Sequence, residues 1–407
     1  MNRSLQNNIS TIYLLGLCQG FMVVIPVFVP LLQGHGLSMT QVLQTQAVFA
    51  LTIALFEVPS GYLADIWGRR PAILAGCALN AAGFLSLLWA DSFADFVLYE
   101  VVLGVGFSLI SGTDLALLYD TEVYLQRAGL PGGAGPGKSL SRLISIEAAA
   151  SALAGVAAGI LLLWSMDCVV IAQALAGLLP LLLAWRLVEV PRTVAATSHR
   201  DNLREIVELL LFGKPVVLWT AFAISVFGLL AVYVFWLYQK YWELQQVPLS
   251  WFGYIWAAFA LTVSLAARYA GALEARLGTR GLLLAIAVLP LLGLLGMALV
   301  GGWAGVLCGF CLQVSRGISM SVFYEALNSR LPGDFRATVN SLVSLAVRAV
   351  FIITGPLLGY ALDSLGMRST LFLLVAIFTP LLGLVLVPLL LRIRREQVAA
   401  GAVTAAG

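Results

Sequence analysis

Three sets of residues in this sequence have types and spacings that could do chemistry. The stretch GGAGPGKS, Gly132 to Ser139, fits G-x-x-x-x-G-K-[ST]. In that pattern backbone N–H groups cradle phosphates, the Lys reaches the terminal ones and the Ser holds magnesium. CGFC, Cys308 to Cys311, has the C-x-x-C spacing of a redox dithiol or half a zinc site. Six ionisable residues stand inside apolar runs: Glu57, Asp114 and Glu147, then Arg268, Arg316 and Arg348. Carboxylates removed from water can trade protons, and guanidinium groups hold anions. The elements that position these residues decide among the three chemistries.

Of 407 residues, 61% are hydrophobic and 11% charged, against about 25% charged in soluble domains. One water-facing core cannot use that much apolar surface, so the chain belongs in a bilayer. Its net charge of +3 points to no nucleic-acid partner. The five cysteines, at 18, 77, 168, 308 and 311, form no disulfide framework. Apolar segments of about 20 residues, the length that spans hydrocarbon, recur along the chain. Twelve are read, at 10–32, 43–65, 71–90, 95–120, 140–163, 168–188, 215–239, 250–273, 281–299, 303–325, 337–361 and 367–391. The first reads as a membrane anchor rather than a cleaved signal.

Basic residues alternate between the two sides. Arg69 and Arg70 follow span 2, Arg127 and Lys138 span 4, Arg276 and Arg280 span 8, and Arg330 and Arg336 span 10. Arg186, Arg192, Arg200, Arg204 and Lys214 surround the connection after span 6, and Arg392, Arg394 and Arg395 end span 12. The opposite loops hold little beyond Lys240 and Arg368. The positive-inside rule then places both termini in the cytoplasm. GGAGPGKS falls in the loop between spans 4 and 5 with no strand before it, so it reads as a glycine-rich connector with no ATP chemistry. CGFC falls inside span 10 and reads as small packing residues. No metal site and no cofactor is expected.

The chain contains a repeat. GYLADIWGRR, Gly61 to Arg70, aligns with GALEARLGTR, Gly271 to Arg280. GTDLALLYD, Gly112 to Asp120, aligns with GISMSVFYE, Gly317 to Glu325. Ser141, Gly155 and Gly159 recur as Ser341, Gly355 and Gly359. The expected architecture is an all-α membrane protein of twelve transmembrane helices in two pseudo-symmetric six-helix bundles. These occupy residues 1–190 and 215–407, joined by a cytoplasmic connector at 191–214. Parallel repeats of this kind build transporters.

GYLADIWGRRP resembles the signature of the major facilitator superfamily, G-x-L-a-D-r-x-G-r-[RK], in the loop after span 2. Gly61, Leu63, Ala64, Asp65, Gly68, Arg69 and Arg70 fit; Ile66 replaces the usual basic residue. The second copy, with Gly271, Gly278 and Arg280, is degenerate and lacks the Asp. The resemblance implies a charge cluster of Asp65, Arg69 and Asp120 that locks the cytoplasmic side, with Arg280 and Glu325 a candidate repeat of it. Simple helix-end capping is the alternative. A span 5 ending G-P-x-x-G-G, expected of antiporters in the family, is not matched. Span 5 gives GVAAG, Gly155 to Gly159, and GPLLG, Gly355 to Gly359, lies in span 11. Close packing through small residues is the preferred reading of GVAAG.

Under the repeat, the three acids and the three arginines occupy nearly equivalent positions. Ionisable groups in hydrocarbon mark a pathway or a pair. In the family's helix arrangement span 2 lies beside span 11 and span 5 beside span 8. The resemblance thus implies Glu57 near Arg348 and Glu147 near Arg268, with Asp114 set towards Arg316. Pairing within each half, or snorkelling, is the alternative. The aromatics of YVFWLYQKYW, Tyr233 to Trp242, with Trp251, Tyr254 and Trp256, read as an interfacial belt. Span 7 lines the cavity in this family, which makes Tyr233 or Trp236 a substrate contact.

The resulting reading is a secondary transporter rather than an enzyme, working by alternating access in a bacterial inner membrane. Its expected partners are the lipid bilayer, protons and a small-molecule substrate. The leading function is proton-coupled export of a hydrophobic or amphipathic, drug-like molecule. Uptake or facilitated transport of an anionic metabolite is the alternative, and a non-transporting membrane receptor or scaffold represents a different class.

Overall fold

The computed structural model describes residues 2–130, 136–191, 215–332 and 335–406, and every regular element among them is helical. In chain order they are α1 (Asn2–Gly20), α2 (Phe28–Gly34), α3 (Met39–Trp67), α4 (Arg69–Ser86), α5 (Phe93–Ile110) and α6 (Thr113–Arg127). There follow α7 (Pro136–Leu161), α8 (Met166–Ala184), α9 (Pro215–Leu244), α10 (Leu249–Leu299), α11 (Gly302–Asn328) and α12 (Arg336–Ala406). Among the described residues, ten stretches are long and apolar enough to cross a membrane. Two of them turn within themselves. α10 is broken at Gly278 and α12 at Gly366, each with a positive φ, so each holds two helices. The difference between twelve expected spans and ten stretches lies at these two glycines. Most of the expected connector, residues 192–214, lies outside the described residues.

Local sequence starts several helices. Ser38 Oγ accepts a hydrogen bond from the Gln41 amide, and the Gln41 side chain accepts one from the Ser38 amide, which opens α3. Ser92 and Asp95 do the same at α5. Ser165 accepts from the Cys168 amide at α8. Each satisfies N–H groups that a helix start leaves without a partner.

The chain forms two compact units. One comprises Met1–Ala195 with Val247–Ala260 and Ile352–Gly359; the other comprises Ala196–Gln246, Leu261–Phe351 and Tyr360–Gly407. In the first unit, Leu5, Ile12, Ile73, Leu117, Leu125 and Leu187 bury one core that ties α1, α4 and α6 to the end of α8. Glycine brings backbones together here. A Cβ added at Gly155 would lie 2.7 Å from the Gly253 carbonyl oxygen, and one at Gly159 2.9 Å from that of Ser250. One at Gly359 would lie 2.6 Å from the Met39 oxygen. GVAAG therefore packs as the small-residue reading expects. In the second unit, α9 lies against α11, where Tyr238 donates to the Gly309 carbonyl at 3.1 Å. CGFC lies in this packing. A Cβ on Gly296 would come within 2.8 Å of Cys308 Cβ, and both cysteines are half-buried. Large apolar side chains such as Trp89, Trp164 and Leu307 remain exposed, which suits a bilayer as solvent.

Candidate functional site

The sequence treats span 4 as one apolar run, and the structure breaks it. α5 ends at Ile110, Gly112 takes φ +80°, and α6 starts at Thr113. A left-handed residue without a Cβ is what lets the chain stop and restart there. Asp114 lies in the first turn of the new helix. It is buried, and its Oδ1 accepts from the Leu115 amide at 2.7 Å. Span 1 is broken too. α1 ends at Gly20, and the chain runs through a short 3-10 turn at Ile25–Val27 before α2.

The two breaks converge on Glu147 of α7. Gly20 is packed so closely on α7 that an added Cβ would meet the Glu147 carbonyl oxygen at 2.7 Å. One on Gly16 would come within 3.6 Å of Glu147 Oε1. Glu147 is half-buried and interacts electrostatically with Asp114, and Asp114 in turn with Cys77 of α4. Thus α1, α4, α6 and α7 bring two carboxylates into one neighbourhood inside the first unit. Discontinuous spans in transporters often mark the ion and substrate sites. Two coupled acids take up and release protons as a pair rather than singly. Glu57, on α3, is half-buried elsewhere in this unit.

The signature loop is built around its glycine. Gly68 has φ +105°, and an added Cβ would press on the Glu189 carboxylate at 3.0 Å. That carboxylate accepts from the Arg69 amide at 3.0 Å and the Arg70 amide at 2.8 Å, the first two N–H groups of α4. A carboxylate there satisfies orphan donors and opposes the positive helix end. Arg69 pairs with Asp120 at 2.6 Å and also donates to the Ala116 carbonyl. The expected Arg69–Asp120 pair is thus present; Asp65 is exposed, as is Gly61. Arg70 donates to the Trp185 carbonyl at 3.3 Å. Asn8 holds the backbone of the preceding residue: its side chain donates to the Val188 carbonyl at 2.8 Å and accepts from the Val188 amide at 2.9 Å.

Sequence reasoning missed Glu189 and Asn8. A polar residue near the start of α1 and one beyond the end of α8 carry no pattern until the fold brings them together. It also missed Glu100, which is buried on α5 and accepts from Gln46 Nε2 of α3 at 2.5 Å. The rule that singled out Asp114, an acid within an apolar run, would have found Glu100. Glu122 is a third, buried and accepting from Ser139 Oγ at 2.5 Å. Ser139 is the last residue of GGAGPGKS. It is buried and anchors the start of α7 to α6, while Lys138 is exposed. Residues 132–135 of that motif lie outside the described residues.

In the second unit, Gly271 and Gly278 are exposed, and an added Cβ at either meets nothing within 4 Å. Gly278 has φ +69°. Arg280 and Glu325 are both exposed and form no ion pair among the described residues, so the candidate repeat of the charge cluster is not made there. Both project from the surface, whereas Arg69 and Asp120 are enclosed. Glu274 instead accepts from Thr279 Oγ1 at 2.8 Å. Tyr233 is buried against the rings of Phe351 and Phe378, with centroids 6.2 and 6.0 Å away. Trp236 is buried beside Phe235. Arg268 is exposed, and Arg316 and Arg348 are half-buried. Each of the three expected acid–arginine pairs takes one residue from each unit.

The matches to known proteins agree with this architecture. Two curated relatives match over short stretches. "Inner membrane transport protein YajR" of Escherichia coli K12 is 37% identical over 73 residues, 18% of this chain and 16% of that protein. "Multidrug resistance protein MdtH" of Aeromonas hydrophila is 36% identical over 89 residues, 22% of this chain and 20% of that protein. The chain therefore matches a fifth or less of either relative's length. Among solved structures, the nucleoside transporter NupG superposes with a TM-score of 0.72 at 12% identity, covering 95% of this chain and 99% of that one. A D-xylose-proton symporter gives 0.69 at 15% identity, covering 93% and 96%. At such identities these likenesses establish the fold alone. The family description "Major Facilitator Superfamily" matches residues 10–350. With its all-helical fold, its apolar spans and a signature loop folded around Gly68, the chain belongs to that superfamily of integral membrane transporters.

Proposed function

We propose that this transporter is a proton-coupled exporter of hydrophobic or amphipathic small molecules. The observation that carries the reading is the meeting of two broken spans at Asp114 and Glu147. A continuous helix satisfies its own backbone, so two breaks that both lead to Glu147 suit a site that must contact an ion. Two acids that feel each other's charge among apolar helices, with no ion pair among the described residues, suit proton exchange better than static bridging. The family resemblance, and a relative named for multidrug resistance, favour export of drug-like molecules. The same reading puts the protein in a bacterial inner membrane with its termini and the Gly68 loop in the cytoplasm, on the distribution of Arg and Lys.

The test is a pH jump across proteoliposomes containing the purified protein and a lipophilic fluorescent dye. Wild-type protein should move dye against its gradient when the lumen is acidified. Asp114→Asn and Glu147→Gln should each abolish accumulation, and each should make the residual flux insensitive to pH. A wild-type response preserved in both variants would show that the proton is carried elsewhere. Glu57→Gln and Glu100→Gln are then the next variants.

A further inference from the structure

Arg316 is the counterpart in the second unit of the buried acids, and it has no ion-pair partner. It lies in the middle of α11, in a stretch whose neighbours Gln313, Ser315 and Ser319 are buried. No carboxylate forms an ion pair with it among the described residues, and no hydrogen bond from its guanidinium is recorded. A guanidinium presents five N–H donors in a fixed fork and does not give up its charge. Leaving it half-buried and unmatched in an apolar span is costly unless something else supplies the anion.

The surroundings hold this group in place. Tyr238 of α9 is the group it interacts with electrostatically. That phenol is fixed on three sides. It donates to the Gly309 carbonyl at 3.1 Å, bonds to the Gln313 side chain, and stacks on Trp242 with centroids 5.9 Å apart. Gln313 lies one turn before Arg316, on the same face of the helix. The backbone beside Arg316 is fixed as well. An added Cβ on Gly317 would lie 2.8 Å from Ala266 Cβ of α10. A cation whose supports are already ordered loses little entropy when it binds.

We infer that Arg316, on the same face of α11 as Gln313, is an anion-binding subsite that takes the carboxylate of an amphipathic organic acid. The inference rests on the transport reading above and narrows its substrate class, from any lipophile to one with a compact anionic head. A carboxylate matches the guanidinium fork with two parallel hydrogen bonds. The apolar body of such a molecule suits the hydrocarbon-rich spans on either side. A neutral or cationic lipophile would leave the cation unmatched.

Equilibrium binding to the purified protein in nanodiscs tests this, with 2-naphthoate, methyl 2-naphthoate and 2-naphthylmethylammonium as probes. They share one aromatic body and differ in head charge. Wild-type protein should prefer the carboxylate over its ester by about 10- to 100-fold, the range of a charge-assisted hydrogen-bonded pair. Arg316→Gln should remove that preference while leaving ester binding within about twofold. Arg316→Lys keeps the charge but loses the fork, so it should retain only part of the preference. Thermal unfolding of each variant controls for folding, and Arg316→Lys keeps the test open if Arg316→Gln does not fold. Equal wild-type affinity for acid and ester, or for acid and amine, would overturn the inference. So would failure of the acid to bind, or an unchanged preference in Arg316→Gln. No proton gradient is involved, so this result stands or falls apart from the proton-coupling test.

Discussion

The two copies of the signature turn share a backbone and little else. Gly68 and Gly278 both join two helices with positive φ, at +105° and +69°, and with ψ near 155° and 161°. Around Gly68 the turn is cross-linked by Glu189, Asp120 and the Ala116 carbonyl. Around Gly278 an added Cβ meets nothing, and the local contact is Thr279 on Glu274. The repeat therefore preserves the fold of the turn, while the side-chain network is specific to the first copy. Duplicated sequence need not mean duplicated function. The glycines answer to backbone geometry, and the charges answer to whatever happens to pack beside them.

Three pairs of substitutions sharpen this contrast. The largest effect is expected at the glycines. Gly68→Ala meets both backbone strain and the Glu189 carboxylate, so it should lose about 3 kcal/mol, at the upper end of what one strained residue costs. Gly278→Ala meets strain alone and should lose about 1–2 kcal/mol. Thermal unfolding in detergent orders the two; equal losses would mean that Glu189 adds nothing at Gly68. Next is Glu189→Gln, which removes a charged cap from the start of α4 and should cost about 1 kcal/mol. Glu274→Gln should cost less than about 0.5 kcal/mol, since its hydroxyl partner remains available. If the two cost the same, the cross-linking around Gly68 is ornamental. The smallest effect is expected for Arg280→Ala, within about 0.5 kcal/mol, because that side chain is exposed and makes no ion pair. Arg69→Ala, which strands Asp120, should exceed it clearly in the same assay.

Much of the scaffold was legible in order of residues. Runs of apolar sequence marked the spans, because a helix in hydrocarbon must be long and apolar regardless of its neighbours. Ser38, Ser92 and Ser165 could be read as helix starts for a similarly local reason. The breaks in spans 1 and 4 were less legible. Gly112 lies in a run of small and apolar residues, and glycine is common inside continuous membrane helices as well. Its conformation follows from what packs around it. Glu189 was invisible as a cap because its partners lie about 120 residues earlier in the chain.

By itself the sequence determined the solvent, the helical class, the repeat and the identity of the charged residues inside the spans. Each of these follows from composition or from spacing along one helix, where the physics is local. The tertiary structure alone decided which charges met. It brought Asp114 within electrostatic reach of Glu147, placed Glu189 on the amides of Arg69 and Arg70, and left Arg316 without an ion pair among the described residues. Electrostatic pairing depends on distances between helices far apart in sequence, and close packing sets those distances, here through glycines such as Gly20 and Gly317.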